Sequence, residues 1–251
     1  VLLGVGMVTI GLAYQNGKNP IRRALGFVTL VALLGHLFAG QYGSFGRYEV
    51  YVVVLTLMTL AVLFEQVLKR IFQTSSGMVG ICVMLLTLGT SYIVVHVKTP
   101  KAAHNIFIQQ YQMHRFSKEY FPYPVAINDL GYVSYRNDVR VLDLWGLGSD
   151  KARRLNKVQE MSAEVINSLA MEEASVYAMI YEQWFENRIP ENWCKIAILH
   201  TTKVSANHAE VGFFLIDLSY ETEMRHALGA FEKTLPAKAR LEELACNIHT
   251  Q

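Results

Sequence analysis

Apolar and polar positions divide the chain near residue 97. Before that point long apolar runs dominate, and from Lys98 to Gln251 charged side chains recur as in a water-facing domain. A helix that crosses hydrocarbon needs about 20 mostly apolar residues. Residues 24–40 form one such run, with His36 near its end. Residues 50–68 form a second, apolar until Glu65 and Gln66, and residues 78–97 a third, interrupted only by small hydroxyl residues, Tyr92 and His96. Residues 1–14 are shorter and read as a truncated span. Only helices or closed barrels satisfy their backbone in lipid. The pattern therefore predicts a membrane α-helical bundle of about four spans over residues 1–98, followed by an extracytoplasmic mixed α/β domain over residues 99–251.

Within the second region the period of the pattern changes. Phe107, Tyr111 and Phe116 recur near helical spacing, so residues 102–120 read as a connecting helix, which Phe121-Pro-Tyr-Pro ends. Short apolar runs bounded by turn residues predict strands at 125–127, 132–135, 140–144, 195–200 and 210–217, and residues 176–181 read as a strand or the start of a helix, the strand being preferred. Residues 150–169, 221–235 and 237–246 read as helices. Strands interleaved with helices imply a mixed α/β layer.

Loop charge supplies an orientation. Residues 15–23 carry Lys18, Arg22 and Arg23, and the connection at 69–77 carries Lys69 and Arg70. The connection at 41–49 has one Arg and one Glu. Positive charge collects on the cytoplasmic side, so the first and third connections are expected inside and the second outside. The C-terminal domain then lies outside, which is the periplasm in a Gram-negative cell. The chain starts at Val1 without a charged stretch and cleavage site, so its start is no signal peptide and reads as the interior of a longer protein.

Composition adds little: 52% hydrophobic and 18% charged residues average over two unlike halves. The net charge of +2, with no basic stripe, gives no footprint of a nucleic-acid binder. Cys82 falls in a span, while Cys194 and Cys246 either pair in an oxidising compartment or stay as two thiols; their spacing fits no zinc motif.

No Gly-rich phosphate loop, metal-spaced His pair or Gly-x-Ser-x-Gly is present, and the glycines of Leu144-Trp-Gly-Leu-Gly lack a third partner. The loop Gln41-Tyr-Gly-Ser-Phe-Gly-Arg-Tyr-Glu is the most suggestive segment. Arg47 there either anchors at the membrane surface or holds a lipid-linked phosphate by paired hydrogen bonds. Tyr48 fits the headgroup level, and Glu49 can pair with Arg47 or orient it. His36 and His96, near outer span ends, either face a site in the bundle or meet water at the interface. Asn128, Asp129 and Asp143 end short strands, where side chains line clefts or cap turns. Trp145, Trp184 and Trp193 read as core or lipid-edge residues.

Val125-Ala-Ile-Asn-Asp-Leu-Gly-Tyr-Val-Ser-Tyr, followed by Val141-Leu-Asp-Leu-Trp-Gly-Leu, resembles the periplasmic segment of bacterial polytopic glycosyltransferases of the GT-C superfamily. Protein mannosyltransferases and the aminoarabinose and arabinofuranosyl transferases are of this type. Phe45-Gly-Arg-Tyr-Glu also looks like an outward loop of such enzymes, and the resemblance covers most of the chain. It implies transfer of a sugar from a polyprenyl-phosphate donor to a lipid or glycan acceptor at the outer membrane face. The family's catalytic carboxylate lies in a first outward loop with no equivalent here, so the chain would be a C-terminal portion. Arg47, Tyr48, Glu49, His36, Asn128 and Asp129 would then contact substrate, with Arg47 stabilising the departing phosphate. No cofactor is assigned, and a divalent cation is left open. The competing expectations are a non-enzymatic ligand- or partner-binding membrane protein and a transport or polysaccharide-assembly component.

Overall fold

A computed structural model describes residues 4, 6, 10, 11, 19–42, 47–203 and 208–246. They fall into two compact units, Val1–Thr99 and Pro100–Gln251.

The first unit is helical. Helix α1 (Pro20–Ala39) starts where Asn19 accepts the backbone N–H groups of Ile21 and Arg22, with proline at the first helical position. Its buried stripe of Gly26, Thr29, Leu33 and His36 meets α2 (Val50–Leu63), whose buried residues are Val52, Thr56 and Thr59. Small and hydroxyl side chains let the two helices approach, and the Thr29 and Thr59 hydroxyls lie 2.7 Å apart. Helices α3 (Glu65–Phe72), α4 (Ser75–Leu88) and α5 (Thr90–Ile108) follow, and α5 runs on past Thr99.

The expected four-span bundle is not what forms. Among the described residues only α1 is long and apolar enough by itself to cross a membrane. The predicted span at 50–68 breaks at Phe64, where α2 and α3 meet at 82°. The cause is the polar end of that run: Glu65 pairs with Arg22 at 2.8 Å and with Lys69 at 2.7 Å. The predicted span at 78–97 breaks at Gly89, with a bend of 59°; glycine is a poor helix former. Among the described residues at most three spans result if each bent pair counts as one. Most of residues 1–14 and part of the 15–23 connection, including Lys18, lie outside the described residues. The alternating orientation rests partly on those residues.

The second unit is built on a six-stranded mixed sheet in the order β2-β1-β3-β5-β4-β6. The strands are β1 (Val125–Ile127), β2 (Val141–Asp143), β3 (Tyr177–Ile180), β4 (Cys194–His200), β5 (Glu210–Leu215) and β6 (Arg240–Glu243). Strand β1 runs parallel to β2 and β3, while β5 is antiparallel to β3 and β4, and β6 is antiparallel to β4. Side chains alternate across the sheet. Val125, Ile127, Tyr177, Met179, Phe213 and Leu215 join a core with Met113, Phe116, Phe121 and helix α10 (Glu221–Glu232). Ala126, Leu142, Ala178, Ile180 and Phe214 join the opposite core with α8 (Asp150–Lys157) and α9 (Ala163–Glu172). Both faces are covered, as parallel strands require.

Three local expectations change. Residues 132–135 are not a strand: a short helix α7 (Leu130–Val133) forms, and the Ser134 hydroxyl donates back to the Leu130 carbonyl. The single helix at 150–169 divides in two, because Ser162 caps a new start by accepting from Val165 N–H. Residues 237–246 contain β6 rather than a helix, since pairing with β4 satisfies their backbone. Cys246 follows β6 and is disulfide-bonded to Cys194 at the start of β4, with a Cα separation of 5.5 Å.

Candidate functional site

Because β1, β2 and β3 are parallel, their carboxyl ends share one edge of the sheet. The chain leaving β1 passes to β2 on one side, while the chain leaving β3 goes to the other. Ligands of open α/β sheets bind at such a switch point, outside the carboxyl ends. Here the residues at that point are Asn128 and Asp129 after β1 and Tyr181 after β3.

Helix α5 and the following α6 (Gln110–Arg115) supply the rest. Gln109, between them, is fully buried and satisfied: its amide nitrogen donates to the His208 carbonyl at 2.7 Å and to Thr201 Oγ1 at 2.9 Å. Its oxygen accepts from the Tyr181 hydroxyl at 3.0 Å. Gln110 Nε2 donates to Asp129 Oδ2 at 2.5 Å. The Tyr181 hydroxyl also lies 3.4 Å from Asp129 Oδ2. It has a single proton, so it donates to Gln109 or to Asp129 at any instant.

These surroundings set the charge states. Burial pushes the Asp129 carboxyl above its ordinary range; the hydrogen bonds from Gln110 and Tyr181 pull it down, and the nearby Asp143 carboxylate raises it further. Burial, and then the Asp129 charge, push the Tyr181 phenol far up, so it remains a donor throughout the neutral range. Burial, followed by Lys203, lowers His208, which favours its neutral form at pH 7.

Asn128 is the unusual member. It is 1% exposed, and its oxygen accepts the Tyr181 backbone N–H at 2.9 Å. That donor fixes which end of the amide is oxygen. The nitrogen, Nδ2, has no hydrogen-bond partner among the described residues. A buried polar group left so costs about 1–3 kcal/mol, and native structures leave few of them. Around Tyr181, whose backbone Asn128 holds, aromatic rings gather. Trp184 lies 5.4 Å from Tyr181 and 4.6 Å from Trp145, and His208 lies 5.7 Å from Tyr181, centroid to centroid.

Asp143 serves its own loop. Oδ1 accepts from Trp145 and Gly146 N–H, and Oδ2 from Gly148 and Ser149 N–H. Gly146, at φ +93°, is needed there: a Cβ would meet the Arg153 backbone at 2.4 Å. Trp193 is buried and donates to Asn167, so it is a core residue.

The six residues expected to contact substrate do not gather in one unit. Asn128 and Asp129 meet at the β1 end. His36, Arg47, Tyr48 and Glu49 belong to the first unit. There Arg47 donates to the Tyr48 hydroxyl at 2.9 Å with its guanidinium over the Tyr48 ring, and Glu49 immediately precedes α2. His36 is buried, its Nδ1 lies 3.1 Å from the Tyr51 hydroxyl, and the rings of Tyr42 and Tyr51 flank it. Residues 43–46 of the expected outward loop lie outside the described residues. Sequence reasoning missed Gln109, Gln110, Tyr181 and His208. The polar pair Gln109-Gln110 inside an aromatic helical stripe was the available signal.

Among the described residues no group of three His, Cys, Asp or Glu is placed to hold a metal ion. Residues 104–214 match a family model described as a domain of unknown function (DUF8728). The matched stretch runs from α5 to β5 and contains every residue of the site described above. No curated protein and no solved structure matches the chain.

Proposed function

We propose that the C-terminal unit binds a sugar-like, hydroxyl-rich group at the β1/β3 edge, and that α1 holds the protein at a membrane. The observation that carries this reading is the buried Asn128 amide, whose oxygen is engaged and whose nitrogen lacks an acceptor among the described residues. Asp129 beside it is an acceptor with lone pairs beyond those used by Gln110 and Tyr181. A donor next to an acceptor matches two neighbouring hydroxyls of a sugar, and Trp184 and Trp145 provide apolar surface for the ring. The Cys194–Cys246 bridge supports an oxidising, extracytoplasmic location.

Calorimetry of the full chain in detergent, titrated with common hexoses, arabinose and N-acetylglucosamine, tests the reading. Saturable binding of at least one sugar is expected. Asn128→Ala and Asp129→Asn should each weaken it about tenfold, or about 1.4 kcal/mol. No binding by the wild type, or equal binding by both variants, sinks it.

A narrower reading is favoured by one coincidence: two of the three segments that carry the glycosyltransferase resemblance form β1, its polar end, α7 and β2. In it the bound sugar is the acceptor in transfer from a polyprenyl-phosphate donor. Asp129, with its raised pKa, orients or deprotonates the acceptor hydroxyl. Transfer of labelled sugar should fall in Asp129→Asn. Unchanged transfer in that variant removes the role given to the residue.

A further inference from the structure

Exposed apolar surface is unevenly spread over the C-terminal unit. Among its described residues eight large apolar side chains are exposed. Five of them, Phe107, Tyr132, Tyr135, Trp145 and Leu147, lie on α5, on α7 and its following turn, and on the loop after β2. The other three, Val158, Met171 and Leu218, are on separate elements.

Phe107, Tyr132 and Tyr135 belong to one connected aromatic rim, and the loop that carries Trp145 and Leu147 lies against α7 beside it. His104, Phe107, Tyr111 and His114 form a row of near-parallel rings, with successive centroids 6.2, 5.5 and 6.3 Å apart. Tyr132 meets Tyr111 and His114 edge to face at 5.4 and 5.6 Å, and Tyr135 lies 6.2 Å beyond it. The loop after β2 abuts α7 so closely that a Cβ on Gly148 would meet Leu130 Cδ2 at 2.6 Å. Cations are interleaved: the Arg136 guanidinium sits 5.4 Å over the Tyr135 ring, and Lys118 donates to the Arg136 carbonyl.

We infer that this rim rests at the headgroup level of a bilayer containing anionic lipid. Rings with a polar tip and an apolar body are the residues that favour the membrane–water interface, and the interleaved cations match anionic headgroups. The inference rests on reading α1 as a membrane helix, because a tether makes the bilayer the surface that this unit meets at high effective concentration. It adds a consequence for the proposed site: the β1 end carrying Asn128 and Asp129 leads directly into α7, so the ligand would be met at headgroup level.

The test uses the full chain with Cys82→Ser, since Cys194 and Cys246 are bonded to each other. Single cysteines are placed at the rim (Phe107→Cys, Tyr132→Cys, Tyr135→Cys) and elsewhere (Val158→Cys, Met171→Cys, Leu218→Cys). Each carries an environment-sensitive fluorophore in vesicles of phosphatidylcholine and phosphatidylglycerol. A headgroup nitroxide should quench the rim labels several-fold more than the other three. A label at Val31→Cys in α1 reports the tether through an acyl-chain nitroxide. If that label is quenched and the rim labels are not, the rim does not face lipid; a blue-shifted but unquenched rim would mean a protein partner covers it, and overturns the inference too. If the Val31→Cys label is unquenched, the tether itself is wrong and the rim assignment falls with it, independently of any sugar binding.

Discussion

The two units put similar apolar residues to opposite uses. Among the described residues, twenty-five large apolar side chains are exposed in the first against eight in the second, although the second is longer. Among the described residues the first unit's buried apolar cluster is Ile10, Leu33 and Val52, and its helices meet through Gly26, Thr29 and Thr59. The second unit packs aromatic and branched residues into a core on each face of its sheet. In water the hydrophobic effect selects the second arrangement. The first makes sense where lipid or neighbouring helices cover the outward apolar faces, because packing then depends on small residues and hydroxyls. Apolar content alone therefore says little about where a core lies; the direction in which it points is the informative quantity.

The largest effect that would break this comparison is a truncation made in each unit. Phe116 is fully buried against Phe121, Tyr177, Phe213 and Phe231. Phe116→Ala should destabilise the C-terminal unit by about 3–5 kcal/mol. Phe38, 84% exposed in α1, should give no measurable change in that unit when replaced by alanine. Urea midpoints followed by near-ultraviolet circular dichroism report both. A similar loss for both variants would mean that α1 supports the second unit's core.

How far the sequence reaches follows the same division. Strands β1, β2, β3, β4 and β5 are legible because alternation and turn residues mark them locally. Strand β6 is not, because Ala237 to Cys246 are mostly good helix formers and only the backbone of β4, about forty residues earlier in pairing, makes them extended. The helix breaks at Phe64 and Gly89 escape a count of apolar residues, since one depends on the Glu65 ion pairs and the other on a single glycine. At the site, Asn128 and Asp129 are legible from their position after a strand. Gln109 and Tyr181 are not, because they meet across 72 residues.

The next effect concerns the bridge. Cys194 and Cys246 are 52 residues apart in sequence. Cys246→Ser should lower the stability of the C-terminal unit by about 2–4 kcal/mol and leave α1 and α2 unaffected. Alkylation of the unreduced, unfolded wild type should add one label, at Cys82, and after reduction three. Three labels without reduction would show that the bridge is absent in solution.

A smaller effect probes the helical unit. The Thr29–Thr59 hydroxyl pair is buried between α1 and α2. Thr59→Val should loosen this hairpin by about 0.6–1.7 kcal/mol, the range for hydrogen bonds between helices in membranes. Crosslinking yield between engineered cysteines on α1 and α2 measures it. If the yield is unchanged, the helices are held by apolar contact and the first unit resembles the second more closely than its burial suggests.

The smallest expected effect is also the most specific to the site. Burial leaves Asp129 with a folded-state pKa above its unfolded value. The folded chain therefore holds this proton more firmly than the unfolded chain does. As pH rises from the unfolded carboxylate value through the raised folded value, the unfolded state is already ionised while the folded state must ionise a half-buried group. Stability is lost across that window and stays lower above it. Asp129→Asn removes the titration while keeping a side chain that can pair with Tyr181. Its urea midpoint should match the wild type at acid pH and exceed it at pH 7, the opposite of the loss expected when a stabilising carboxylate is removed. A wild type that gains stability over this window relative to the variant would mean that Gln110 and Tyr181 outweigh burial. Asp129 would then be a structural acceptor like Asp143, and the site would rest on Asn128 alone.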